Sequence, residues 1–155
     1  MLAADLGLRG SERMAAGLVP ASFDHVLANP PFDPGHAGRS SPDPRRALAH
    51  RMKADTLEAW CRTASATLVP GGSLTMIVRP EGLTELLAAW VPRFSGPTLR
   101  PVHAVSDRRA IRLLAYGRKG RRDPLALLPP LILRSGDGPS PLAEAIAAGD
   151  SAIEL

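Results

Sequence analysis

The sequence predicts an α/β protein, an open and mostly parallel sheet covered by helices. Short apolar runs of strand length alternate with longer stretches of helical period. The run Phe23–Ala28 is nearly continuous, the pattern of a strand buried on both faces. The runs Leu99–Val105 and Ala110–Tyr116 are joined by Ser106, Asp107, Arg108 and Arg109, as in an antiparallel edge pair closing such a sheet. With 155 residues the chain is long enough for one domain with a real core, and residues 1–155 are read as that single domain.

The elements follow in order. Ala3 to Leu6 reads as the tail of a strand, broken by Gly7, Gly10 and Ser11, with one or two helical turns from Met14 to Val19. The strand at 23–28 is stopped by Pro30 and Pro31, neither of which donates to a ladder. Residues 33–44 are rich in Asp, Pro, Gly and Ser and read as a loop. Asp43-Pro44 is a helix start, with Asp as cap and Pro in the first turn. The basic stretch from Arg45 to Lys53 reads as a short helix or an ordered loop. Asp55–Leu68 is the clearest helix: Leu57, Trp60, Cys61, Ala64 and Leu68 share one stripe, which makes Trp60 a core residue. Pro70-Gly71-Gly72 ends it, and Leu74–Val78 is a β-branched strand. Leu83, Leu86, Leu87 and Trp90 give a second helical stripe closed by Pro92. Leu125–Leu133 holds Pro129-Pro130 and can be only an edge strand or extended segment. Pro141–Ala148 reads as a short C-terminal helix.

Composition narrows the class. Hydrophobic residues make up 45% of the chain, which suits a folded domain and argues against disorder. No apolar run of about 18 residues occurs, so no membrane span is expected. No secretory leader pattern is present, and the lone Cys61 forms neither an internal disulfide nor a Cys-based metal site. A cytoplasmic location is the simplest expectation. His25, His36 and His103 show no metal-ligand spacing, and no metal is expected. The net charge of +4 fits a polyanionic partner such as RNA, and equally an Arg-rich composition without one.

The chemistry concentrates at Asn29-Pro30-Pro31-Phe32, directly after a predicted parallel strand. Ligands of open α/β sheets bind outside the carboxyl ends of the strands, which is where Asn29 stands. An exocyclic amine on a conjugated ring is a poor nucleophile, because its lone pair is delocalised. The Asn29 side-chain oxygen and the Pro30 carbonyl can accept its two hydrogens, and Phe32 can stack on a flipped base. Those hydrogen bonds favour positive charge building on nitrogen as a methyl group arrives.

The chain resembles class I S-adenosylmethionine-dependent methyltransferases. It is most similar to bacterial enzymes that methylate adenine N6 beside the anticodon of a valine tRNA. The resemblance runs through residues 23–32, the Arg/His-rich stretch 45–53, Leu57 to Trp60, the turn at 68–74 and residues 112–120. It implies a Rossmann-like class I methyltransferase sheet, of which this chain is the C-terminal part. It implies S-adenosyl-L-methionine as cofactor, with Asp5 and Asn29 on the donor side and Asn29, Pro30, Pro31 and Phe32 as the catalytic motif. The family's Gly-rich loop and its ribose-binding acidic residue have no place before Asn29, so the donor site is expected to be incomplete here. The missing half is on the order of 80–100 residues. Micromolar donor binding by the chain alone is not expected.

Two basic groups are candidate RNA contacts. Arg45, Arg46, Arg51 and Lys53, with His50 among them, follow the motif. Arg118, Lys119, Arg121 and Arg122, with Arg108, Arg109 and Arg112, form a second group. The expected partner is tRNA or another RNA, with self-association through an exposed sheet edge as a further expectation. Alternatives are a release-factor glutamine, N2 of a ribosomal guanine, or a non-catalytic remnant that only binds RNA.

Overall fold

The computed structural model describes residues 4–30 and 44–155, with side chains from residue 56 onward in the second stretch. Ten of its elements build one domain sheet and its helices: α1 (Gly10–Ala15), β1 (Phe23–Ala28), α2 (Pro44–Thr67), β2 (Leu68–Val78), α3 (Leu83–Phe94), β3 (Thr98–His103), β4 (Ala110–Arg118), β5 (Ala126–Leu127), β6 (Leu131–Ile132) and α4 (Pro141–Ala148). A two-stranded ribbon, β7 (Arg134–Ser135) with β8 (Gly138–Pro139), precedes α4. The sheet order is β1-β2-β4-β3-β5, with β6 also on β3. β1 pairs parallel with β2, and β5 and β6 pair parallel with β3. β4 lies antiparallel between β2 and β3, so it alone runs against the others. The expected antiparallel pair is therefore present, with its second strand inserted inward rather than added at the rim.

Several boundaries differ from the sequence reading for physical reasons. Residues 4–6 are not a strand, and α1 begins at Gly10, ahead of the expected turns. The basic stretch and the apolar stripe form one continuous helix, α2. Asp43, expected as its cap, lies outside the described residues. α2 ends at Thr67, and Leu68 already pairs with Phe23 of β1. The next matched pair is His25 with Ser73, so Val69 to Gly72 loop out of the ladder. Gly71 adopts φ +79°, a conformation that suits Gly and costs other residues about 1–2 kcal/mol. Pro-Gly-Gly thus makes a bulge within a strand instead of a helix stop. Pro92 sits inside α3, which continues to Phe94. In the last turn Pro removes a single N–H bond, and the buried Phe94 holds that turn down.

Side chains alternate across the sheet. Ala28, Leu74, Met76, Val78, Leu99, Leu113 and Ala115 face α2 and α3, meeting Cys61, Ala64, Leu86, Trp90 and Phe94. Trp90 and Phe94 pack with ring centroids 5.1 Å apart and tilted by 46°, worth about 0.5–1.5 kcal/mol beyond their buried area. On the opposite face Val102, Leu114 and Leu131 meet Ile146 of α4 and Leu155. The Ser140 hydroxyl caps α4 by accepting the Ala143 N–H at 3.2 Å, and Gly149 closes the helix at φ +83°. The prolines at 129–130 divide the last edge into β5 and β6, which follow β3 on either side of them. Among the described residues no helix is long and apolar enough to cross a membrane.

Candidate active site

β1 ends at Ala28, which is buried against α2 and α3. The chain then leaves the sheet at its carboxyl edge, with Asn29 exposed and Pro30 buried. Buried Ala28 and Pro30 on either side fix the backbone, so that Asn29 faces outward from an anchored position. Pro31 and Phe32 lie outside the described residues. Arg45, Arg46, Arg51 and Lys53 fall on the first half of α2, where side chains are not described.

A cavity of about 580 Å³ opens between the N-terminal turn and α2. It is lined by Ala4, Asp5, Leu6, Gly7, Thr56, Ala59 and Trp60. Asp5 is exposed, and its Oδ1 accepts the Gly7 N–H at 2.7 Å, which folds the turn around its own carboxylate. Two side chains of α2 hold this turn in place. Thr63 Oγ1 donates to the Leu6 carbonyl at 2.7 Å, and Arg62 Nη2 donates to the Gly7 carbonyl at 3.3 Å. Burial lowers the pKa of Arg62, and nearby Arg9 lowers it further while Glu58 opposes both. Glu58 in turn forms a two-pronged pair with Arg93 of α3, at 2.5 and 3.0 Å.

Trp60 is only half-buried: it packs against the core cluster and also lines the cavity. It is thus a wall of the cavity as well as a residue packed on the core. Thr63 and Arg62 escaped the sequence reading. The signal was weak: Thr63 lies three residues after Trp60, beside the apolar stripe, where a polar side chain that becomes buried has to find a partner. Cys61 is fully buried, and burial pushes its thiol up to about 12, with Arg93 lowering it and Glu58 raising it. It is neither exposed nor ionised at neutral pH, the opposite of a reactive thiol.

The second basic group is divided by β4. Arg108 and Arg109 stand in the β3–β4 connection, at the carboxyl end of β3. That is also the sheet end where Asn29 emerges, because β1, β2 and β3 run the same way. Arg118 pairs with Ser73, which pairs with His25 near the start of β1, so Arg118, Lys119, Arg121 and Arg122 lie at the opposite end. Lys119 Nζ donates to the Leu68 carbonyl at 2.7 Å, and Arg118 Nε donates to the Tyr116 hydroxyl at 2.9 Å. Arg121 pairs loosely with Asp123 at 3.7 Å. Among the described residues no group of three His, Cys, Asp or Glu side chains has metal-site geometry.

Neither a protein-family model nor a curated protein matches the chain. Solved structures do. A predicted O-methyltransferase of Agrobacterium tumefaciens is 32% identical, with a TM-score of 0.80 over 98% of this chain and 64% of its own. A proposed DNA modification methylase of Thermus thermophilus is 20% identical, with a TM-score of 0.50 over 72% of this chain and 53% of its own. The chain carries a methyltransferase fold and spans less than two thirds of the length of either protein.

Proposed function

We propose that the chain belongs to an S-adenosylmethionine-dependent methyltransferase and forms the acceptor side of its site, acting on an exocyclic amino group, adenine N6 of a tRNA. The observation that carries this reading is Asn29, exposed and anchored between buried Ala28 and Pro30 at the carboxyl end of a parallel strand. The Asn29 amide oxygen and the Pro30 carbonyl accept the two hydrogens of the amine. They orient its nitrogen and favour the charge that develops on it. The amine releases its surplus proton to water, so no protein base is needed.

The cavity at Asp5 fits the adenine end of the methyl donor. Trp60 and Ala59 offer an apolar wall, and the Asp5 carboxylate offers an acceptor for an amino group. When bound, the donor supplies an electrophilic methyl group for direct displacement. Arg108 and Arg109 stand at the same sheet end as Asn29 and suit RNA phosphates near the target base. Arg118, Lys119, Arg121 and Arg122 suit a more distant part of a long RNA.

The Agrobacterium protein is described as acting on oxygen. A hydroxyl has one hydrogen where an amine has two, so the paired acceptors of Asn29 and Pro30 favour nitrogen. Labelled S-adenosylmethionine offered with tRNA, ribosomal RNA and a release factor, followed by nucleoside analysis, tests the reading. N6-methyladenosine in tRNA is the expected product. An O-methylated nucleoside, or label in the release factor alone, refutes it.

A further inference from the structure

Three hydrogen bonds draw separate segments together at the carboxyl end of β3. His103 Nδ1 donates to the Arg108 carbonyl at 2.5 Å, which closes the β3–β4 connection on itself. The Leu133 N–H donates to the His103 carbonyl and the Arg134 N–H to the Ala104 carbonyl, both at 2.9 Å. The start of the β7–β8 ribbon therefore lies along the end of β3. Ser140 fixes the ribbon's return: its N–H donates to the Leu133 carbonyl at 2.8 Å and its hydroxyl to the Ile132 carbonyl at 2.6 Å. Ala104 thus has Arg134 on one side. On the other stands Arg109, next to Ala110, which pairs with His103 in the ladder. The two backbones are about two strand spacings apart, roughly 10 Å. Both arginines are exposed, and neither forms an ion pair among the described residues. Asp107 lies 3.9 Å from Arg108, and Asp137 offers Arg134 its backbone carbonyl at 3.1 Å. That bond uses one donor of the Arg134 guanidinium and leaves the others.

Two guanidinium groups without carboxylate partners, at the end of the sheet where ligands bind, suit a phosphodiester, whose oxygens accept paired N–H donors. We propose that Arg109 and Arg134 clamp the backbone of the acceptor RNA at neighbouring phosphates, with the β7–β8 ribbon as the second jaw. The clamp deepens the proposed function and rests on its RNA acceptor. His103 is its positioning residue, since its ring holds the connection that carries Arg109. β3 stands three strand spacings from β1, and β6 lies one beyond β3, so the clamp is about 14–19 Å across the sheet from Asn29. At about 3.4 Å per stacked nucleotide, that is roughly four to six nucleotides from the flipped base. The clamp grips a flank of the target and not the target nucleotide.

The test measures binding of a labelled RNA stem-loop to the 155-residue chain by fluorescence anisotropy, from about 50 to 200 mM salt. Arg134→Gln is expected to weaken binding and lower the salt slope by about one, and Arg109→Gln combined with it to lower the slope by about two. Arg134→Lys keeps the charge and should keep the slope. Stem-loops that each carry one uncharged methylphosphonate locate the contact. Wild type should lose affinity for a substitution roughly four to six nucleotides from the target adenine, and Arg134→Gln should be indifferent to it. No binding of the stem-loop, an unchanged affinity and slope for Arg134→Gln, or a methylphosphonate effect at the target nucleotide alone each overturns the clamp. Binding requires no methyl transfer, so the two readings fail separately. An O-methylated nucleoside sinks the proposed function and leaves the clamp. N6-methyladenosine formed while Arg134→Gln binds like wild type does the reverse.

Discussion

Thr63, buried on α2, donates its hydroxyl to the Leu6 carbonyl at 2.7 Å. This bond spans 57 residues of sequence and fastens the turn that carries Asp5 to the helix that carries Trp60. Without it the two walls of the cavity are joined by the weaker Arg62 contact at 3.3 Å.

Thr63→Val keeps the shape of the side chain and removes the donor. The Leu6 carbonyl then lacks that partner, at a cost of about 1–3 kcal/mol. Urea unfolding is expected to show that loss for Thr63→Val and little change for Thr63→Ser. Where the turn forms part of the donor site, donor affinity falls with Val and is retained with Ser. Equal effects of the two substitutions would show that packing at Thr63, and not its hydrogen bond, holds the turn.

Cys61 predicts a pH dependence with a definite sign. The unfolded thiol ionises near its ordinary value of about 8.5. In the folded chain burial pushes it to about 12. The unfolded state therefore releases the proton first as pH rises. The stabilisation is complete below the unfolded value and declines between the two, by at most about 1.4 kcal/mol per pH unit. Urea unfolding of wild type and Cys61→Ala at pH 8, 9.5 and 10.5 should show wild type losing its advantage as pH rises. A constant gap contradicts the buried thiol, as does rapid alkylation of the native chain at pH 8.

Much of this fold was legible in the sequence, and the failures have local causes. α4 was read at its observed bounds because Ser140, Pro141 and Gly149 punctuate it at both ends. That residues 23–28 form a parallel strand was legible from their apolar run, and with it the place of Asn29; the burial on both faces that the run implied is not found, since Ala28 alone of the strand is buried and Leu27 is exposed. Pro70-Gly71-Gly72 was misread because the same residues end a helix or make a bulge. The choice between them is made by tertiary hydrogen bonds, Gly71 N–H to the Lys119 carbonyl and Lys119 N–H to the Gly72 carbonyl. The division of the second basic group follows from the strand expected at 110–116, which separates Arg108 and Arg109 from Arg118 to Arg122; the ladder of β4 adds which of the two ends is that of Asn29. The cavity at Asp5 depends on contacts between residues about 55 positions apart, which no local pattern records.

Gly96 is expected to tolerate no side chain. A Cβ there meets the Leu125 backbone nitrogen at 2.2 Å and the Pro124 carbonyl carbon at 2.5 Å. These are backbone atoms, and the strand they lead into is held to β3 by the Ala126 N–H on the Pro97 carbonyl at 3.1 Å. Gly96→Ala must displace β5, with an expected loss of about 3 kcal/mol or more. Gly120→Ala is the comparison: nothing lies within 4 Å of its Cβ, and only its φ of +81° is strained. That change should cost about 1–2 kcal/mol. Thermal unfolding of both variants ranks them, and a reversed order refutes the close approach at Gly96.

The split of the basic residues makes a prediction about RNA length. Arg109 and Arg122 bracket the nine residues of β4, so roughly 30 Å of extended strand separates them. Arg109 shares the sheet end of Asn29, so on the proposed function a short hairpin presenting the target adenine would reach it. Arg122 would then be within reach only of a longer RNA. Arg109→Glu is expected to weaken binding of both a short stem-loop and intact tRNA, lowering the salt slope by about one. Arg122→Glu should weaken only the intact tRNA. Lys119→Glu should instead destabilise the fold, because its ammonium is committed to the Leu68 carbonyl. Fluorescence anisotropy between 50 and 200 mM salt, roughly the range over which such contacts are lost, separates these effects. Equal losses on the stem-loop for Arg109→Glu and Arg122→Glu would show that RNA does not approach from the Asn29 end.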